Sequence, residues 1–343
     1  MATTPHGADA PSPVLVFDTL IAYQRTAALR AAVELDLFRA IGDGPADVAS
    51  LAAQCSASER GIRILCDYLT IQGFLAKQDG RYRQTPTSAM FLDPRSPACI
   101  ASVARFIASP EVQTPYAHLA EIVRTGRTSL PGEGTVEAEN PIWVEFAHSM
   151  APMMAPVAGP LGSIVLEGLS GPVSVLDIAA GHGLFGIAVA KANPEARIVA
   201  VDWAPVLAVA AGNARKAGVD GRYELRPGSA FDVDFGGPYD LVLITNFLHH
   251  FDPATCTHLL RKVHAVLKPG GRAAALDFVP NEDRVSPPMA AGFSLTMLAG
   301  TVAGDAYTFR EYEAMYRDAG YARVTAHPVP GGPHTVVIGE RAK

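Results

Sequence analysis

The sequence predicts an α/β fold, a mostly parallel sheet with helices on both faces, preceded by a smaller helical domain. Three observations predict it. From Pro172 onward, short strand-like runs alternate with helix-like stretches, the pattern of repeated strand–helix–strand units. Within them, VSVLDIAAGHGLFG (Val173–Gly186) passes from a buried strand through a glycine turn into a helix, which presents backbone N–H groups to a ligand beyond the carboxyl ends of the strands. The first 85 residues instead carry three helical patterns and a hairpin signal. The expected division is a winged-helix-like dimerisation domain over 1–110, a helical linker and pocket roof over 111–160, and a Rossmann-like sheet domain over 161–343.

At 343 residues and 49% hydrophobic composition the chain can bury two cores. A net charge of -6 gives no general attraction to nucleic acid or anionic membrane. Cys55, Cys66, Cys99 and Cys256 lack both C-x-x-C spacing and the density of a secreted scaffold, so reduced thiols in a cytoplasm are expected. The opening MATTPHGADAPSP has no basic region before an apolar core and reads as a frayed tail.

In chain order, apolar positions 17, 20, 21, 28, 31, 32, 35 and 38 predict one long amphipathic helix from Phe17 to Phe38. IGDGPA ends it, Pro45 to Gln54 forms a short helix, and Ser56 with Glu59 proposes a capping box for a third. Phe74 to Thr85 reads as two strands around an Asp79-Gly80 turn. This winged-helix pattern raises DNA binding, but residues 1–110 hold ten Lys/Arg against ten Asp/Glu, without the excess positive charge that phosphate binding draws on. A homodimerisation module fits better. In WVEFAHSMAPMM, Trp143, Phe146, Met150, Met153 and Met154 fall near helical spacing, as plain core or as the roof of a pocket. The later strands are expected at 173–178, 197–202, 222–226, 239–245, 272–279, 321–327 and 334–340, the last pair forming a hairpin that adds one antiparallel strand. Helices are expected at 184–192, 205–217, 254–267 and 308–319.

Gly181, Gly183 and Gly186 spell the G-x-G-x-x-G of dinucleotide enzymes, and Asp177 is the discriminating residue. A carboxylate there repels a pyrophosphate and suits S-adenosylmethionine, whose ammonium, sulfonium and ribose hydroxyls want acceptors. Asp202 ends the next strand, as a grip on ribose hydroxyls or as a helix N-cap before Pro205, with Trp203 beside it. Ser229, Ala230 and Phe231 follow the third strand, where a turn borders an adenine. Asn246 closes the fourth, leading into His249 and His250 on the ligand side. A histidine there suits a base that takes a proton from a hydroxyl, while a structural pair and a metal site with Asp252 are the alternatives. Flat aromatic or polyketide-like acceptors suit a pocket of Phe146, Met150, Met153, Met289, Phe293 and Met297.

The segments ALRAAVELDLF, DIAAGHG, VDWAP, PGSAF, NFLHHFD, LKPGG and GDAYTFREYEAMYRDAGY together resemble the plant-type small-molecule O-methyltransferases of secondary metabolism, in their bacterial branch. The resemblance implies a seven-stranded class I methyltransferase domain. It implies that Asp177, Gly181, Gly183 and Asp202 hold S-adenosylmethionine, with Ala230 and Phe231 near the adenine, His249 as base, Asp277 orienting it and Met150 in the pocket. No metal is implied. Four positions depart from the family's pattern. Ala179 replaces the first glycine of the turn, Ser229 an acidic residue, Ala306 a second acidic residue near the base, and His250 an aspartate. Carbon methylation on the same fold is the alternative reaction.

Overall fold

A computed structural model describes residues 11–343. They divide into two units, one ending at Pro110 and the other beginning at Glu111.

In the N-terminal unit the expected long helix is broken into Val14–Leu20, Ala22–Glu34 and Leu37–Ile41. The second break is backbone chemistry: Asp36 sits in the left-handed region at φ 52°, which aspartate tolerates better than most residues. It turns Leu37, Phe38 and Ile41 into a core with Leu51, Ile62, Cys66, Leu69, Leu75 and Tyr82. The capping box at Ser56 also gives way. Ser56 takes φ 50°, and Ser58 caps the helix Glu59–Ile71 by accepting from the Gly61 N–H. Strands β1 (Leu75–Gln78) and β2 (Arg81–Gln84) pair antiparallel around Asp79 and Gly80, both left-handed as a two-residue hairpin turn demands. Val14, Leu15, Val16, Phe17, Leu20 and Tyr23 remain exposed.

The second unit holds a seven-stranded sheet: β3 (Ser174–Ile178), β4 (Arg197–Asp202), β5 (Tyr223–Pro227), β6 (Tyr239–Thr245), β7 (Leu267–Phe278), β8 (Arg323–Pro328) and β9 (His334–Glu340). Their order is β5-β4-β3-β6-β7-β9-β8, with β9 the one antiparallel strand. The central strands are buried nearly throughout, the burial pattern of a parallel sheet covered on both faces. On one face Leu176, Val242 and Ile244 pack with Leu259, Leu260 and Val263 of the helix Pro253–Val266 and with Tyr312, Met315 and Tyr316 of the helix Phe309–Asp318. Strand order reverses between β3 and β6, which opens a crevice at their carboxyl ends where such sheets bind ligands.

The segment 142–166 is two helices, Ile142–Ser149 and Ala151–Leu166, bent by 68° at Met150. Among the described residues no single helix is long and apolar enough to cross a membrane.

Candidate active site

Two sets of residues meet at the carboxyl ends of β3, β4, β6 and β7. The first is built around the glycine turn. Gly183 has φ 76°, and a Cβ there would lie 2.8 Å from the Tyr223 hydroxyl and 2.9 Å from the Ala210 Cβ, so the turn closes only over a bare backbone. Gly186 meets a different limit, since its Cβ would stand 2.6 Å from Oδ2 of Asp177. That oxygen accepts from the Gly186 N–H at 3.1 Å, while Oδ1 of Asp177 is buried with no partner among the described residues. Asp202 accepts from Gly181 N at 2.8 Å and Trp203 N at 2.7 Å. Burial pushes the Asp177 carboxyl up to about 7, opposed by the Gly186 N–H and reinforced by Asp202. Burial likewise pushes Asp202 up to about 6, against the Gly181 and Trp203 N–H groups.

These are carboxylates short of positive charge. With Oδ1 of Asp177 and Oδ1 of Asn246 both buried and unpartnered among the described residues, the set fits a ligand that brings a cation and hydroxyl donors. Ala179 lies at φ 51°, so alanine occupies a left-handed position that costs it about 1–2 kcal/mol relative to glycine. Asn246 shares that conformation at φ 51°, with its N–H donating to Leu276 O at 2.8 Å.

Beyond β5 the Ser229 hydroxyl accepts from the Phe231 N–H at 3.1 Å, and Ala230 is buried. Phe231 stands edge-on to Phe251 at 5.0 Å and tilted to Phe247 at 6.3 Å. The Lys262 ammonium donates to the carbonyls of Ala230, Phe231 and Val233 at 2.8–3.0 Å and pins this wall. Lys262 is announced by no motif, and Phe247 and Phe251 fall inside NFLHHFD without anything in their spacing to show that they pack on Phe231.

The second set surrounds the histidines, which sit in the 3-10 turn Leu248–His250. Nδ1 of His249 lies 2.5 Å from Oδ1 of Asp277. Asp277 is wholly buried and also accepts from the Phe278 N–H at 2.9 Å and the Tyr312 hydroxyl at 2.7 Å. An ionised carboxylate has no proton to give, so Nδ1 of His249 carries the hydrogen and Nε2 presents the lone pair. Nε2 lies 3.2 Å from Nε2 of His250. Tyr312 falls inside the C-terminal segment that carries the resemblance, yet nothing in its spacing reveals that it holds Asp277.

Phe293 stands edge-on to His249 at 4.8 Å and stacks on Phe278 at 4.2 Å. Phe146 stacks over His182 of the glycine turn at 6.4 Å, and Met150 and Met297 are buried, with Met153 half-buried. Met289 is 67% exposed and does not join them: it lies in the first turn of Pro288–Gly300, one residue before the buried Ala290 and so turned about 100° round the helix from it. Asp305 does not reach the base through its side chain. Its N–H donates to the His249 carbonyl at 2.9 Å, and its carboxylate pairs with Arg284 at 3.1 Å. Ala306 is wholly buried. Asp252 caps Pro253–Val266 by accepting from Ala254 and Thr255, which takes it out of any site with the histidines. Among the described residues no group of three His, Cys, Asp or Glu is placed to hold a metal ion.

Comparison with known proteins gives the family. Residues 143–322 match the O-methyltransferase domain and residues 17–94 the O-methyltransferase dimerisation domain. The 3-hydroxy-5-methyl-1-naphthoate 3-O-methyltransferase of Streptomyces sahachiroi is 29% identical over 96% of both chains. A crystal structure assigned to the O-methyltransferases, from Nostoc punctiforme, is 51% identical with a TM-score of 0.93, covering 97% of this chain and 100% of that one. The structure of PigF with SAH, a protein named in Serratia as an S-adenosyl-L-methionine-dependent methyl transferase, is 25% identical with a TM-score of 0.85 over 96% and 100% of the two chains.

Proposed function

The chain belongs to the O-methyltransferase family and is S-adenosylmethionine-dependent; from that premise we propose that it methylates a phenolic hydroxyl of a flat aromatic or polyketide-like acceptor, with His249 as general base. The observation that carries this reading is the His249–Asp277 pair, which leaves Nε2 of His249 as a proton acceptor at the crevice. When bound, the cofactor supplies a methyl group already activated on a sulfonium. Asp177, Gly181, Gly183, Asp202, Trp203 and Asn246 would hold it, with Ser229, Ala230 and Phe231 along its adenine. Asp277 fixes the imidazole by its hydrogen bond and stabilises the imidazolium that forms when His249 takes the hydroxyl proton. Tyr312 keeps Asp277 aimed. Phe146, Met150, Met153, Phe293 and Met297 give the acceptor apolar walls, and Phe293 a ring to lie against.

The test is transfer of a carbon-13 methyl from labelled S-adenosylmethionine to 3-hydroxy-1-naphthoate, with the methyl located by NMR, in the wild type and in His249→Ala. An oxygen-bound methyl in the wild type and a loss of about 10²–10⁴-fold in the variant, with S-adenosylhomocysteine affinity preserved, are expected. A carbon-bound methyl, or undiminished turnover without His249, overturns the reading.

The run Val14–Tyr23, with seven large apolar side chains exposed, Ile21 among them, lies largely within the part that matches the dimerisation domain and supports a homodimer. Sedimentation equilibrium at micromolar concentration should return twice the chain mass, and a monomer would refute it.

A further inference from the structure

We propose that His250 is a second catalytic histidine, whose Nε2–H donates a hydrogen bond to the acceptor oxygen while His249 removes that oxygen's proton. The inference rests on His249 being the base and adds a residue that the family match does not assign.

The tautomers follow from the contacts. Nδ1 of His249 gives its hydrogen to Asp277, so Nε2 of His249 is bare. A contact of 3.2 Å between two Nε2 atoms then requires the hydrogen to sit on His250. His250 is therefore a donor at the base's working nitrogen. Its other nitrogen, Nδ1, is buried and has no hydrogen-bond partner among the described residues.

That sealed Nδ1 separates a donor from a relay. A proton accepted at Nε2 of His250 has no onward acceptor, so the residue cannot pass protons along. The ring stands instead edge-on to Trp143 at 5.2 Å, and Trp143 is itself fixed by donating to the Thr135 carbonyl at 2.9 Å. Burial first, and His249 next, hold the His250 imidazole well below its ordinary range, so it stays neutral and does not compete for the proton.

The spacing suits an oxygen shared by both rings. An oxygen about 2.8 Å from each Nε2 makes a nearly equilateral triangle on a 3.2 Å base. The entering oxygen takes the His250 N–H away from Nε2 of His249 and so frees that lone pair. The hydroxyl proton passes to Nε2 of His249, one oxygen lone pair accepts from His250, and another forms the new bond to the methyl carbon as the methyl–sulfur bond breaks. The donor stabilises negative charge as it develops on that oxygen, which is the action of a preorganised oxyanion donor.

Two measurements on the full-length enzyme test this. Long-range proton–nitrogen correlation on histidine-labelled protein, assigned with His250→Gln, should show His249 protonated at Nδ1 and His250 at Nε2. His250 protonated at Nδ1, or charged near neutral pH, overturns the proposal. In single turnover with 3-hydroxy-1-naphthoate, His250→Phe should lower the rate by about 10–100-fold, and His250→Gln, which keeps an N–H near the Nε2 position, should recover most of it. The loss should shrink with a nitro-substituted naphthol that is already ionised, because less charge remains to develop. Equal losses in Phe and Gln, or a loss indifferent to phenol acidity, would make His250 a packing residue. His249→Gln, run in parallel, separates the readings: retained turnover there sinks the base, whereas an inactive His249→Gln beside a normal His250→Phe sinks this proposal alone.

Discussion

The two halves of the crevice are built in opposite ways. At the glycine turn the ligand-facing groups are backbone N–H donors and two carboxylates, set by one turn and the ends of two successive neighbouring strands, β3 and β4. At the histidines they are side chains gathered from the turn Leu248–His250 after β6, from β7, from the helix Pro288–Gly300 and from the helix Phe309–Asp318, over more than sixty residues. One half is shaped by where a Cβ cannot go, the other by which rings happen to meet. The halves should therefore fail differently when altered.

A reciprocal pair of substitutions tests that difference and carries the largest effect. Gly183→Ala places a Cβ at φ 76° against the Tyr223 hydroxyl and Ala210, neither of which can move without opening the core. Affinity for S-adenosylhomocysteine should fall on the order of 100-fold, with a lower Tm. Tyr312→Phe keeps the ring's packing but leaves Oδ2 of Asp277 without its donor in a dry interior. Turnover should drop by about tenfold, as for loss of a hydrogen bond to a charged group, while S-adenosylhomocysteine affinity holds. Calorimetric titration and single-turnover rates on both variants check this. If Tyr312→Phe weakens the cofactor product as much as Gly183→Ala does, the two halves are one mechanical unit and the contrast is wrong.

The same contrast explains what was legible in the sequence. The turn was readable because its glycines follow a strand and open a helix, Gly183 in a left-handed conformation and Gly186 against Asp177, with Asp177 and Asp202 at the ends of successive strands. All seven strands of the sheet and the antiparallel last pair followed from period and punctuation. His249 was readable as a candidate base from its place after a strand end, but Asp277 and the pairing came only through resemblance to a family, since nothing in their spacing of 28 residues says that they touch. Tyr312, Lys262 and Phe251 were missed because each acts through a contact made after long-range packing. His334 illustrates the point: it faces Phe278 across the β7–β9 ladder with both ring nitrogens buried and unpartnered among the described residues, and no motif marks it. Expectations also failed where a single residue accepted a left-handed conformation. Asp36 broke the first helix and Ser56 moved a cap, because turn-tolerant residues can leave a helical pattern that hydrophobic spacing continues.

The smallest predicted effect belongs to the carboxylate half alone and depends on pH. An aspartate titrates near 3.9 when unfolded, whereas burial raises Asp202 to about 6 and Asp177 to about 7 in the folded chain. A raised carboxyl means that the folded state holds its proton more tightly. Its contribution to stability is then fully present below about pH 4 and is lost as pH climbs through 6 to 7. A ligand carrying an ammonium reverses the preference, because it favours the ionised carboxylates and so binds better once the protons have left. S-adenosylhomocysteine affinity should therefore rise by about tenfold between pH 5.5 and 8, a tenfold change corresponding to each unit by which binding lowers a carboxyl. The ligand-induced rise in Tm should grow over the same interval. Asp177→Asn removes the group with the higher value and should flatten the upper part of the curve. A flat affinity across this range in the unaltered enzyme would mean that the cation does not reach these carboxylates, and that the turn holds its ligand by backbone N–H groups alone.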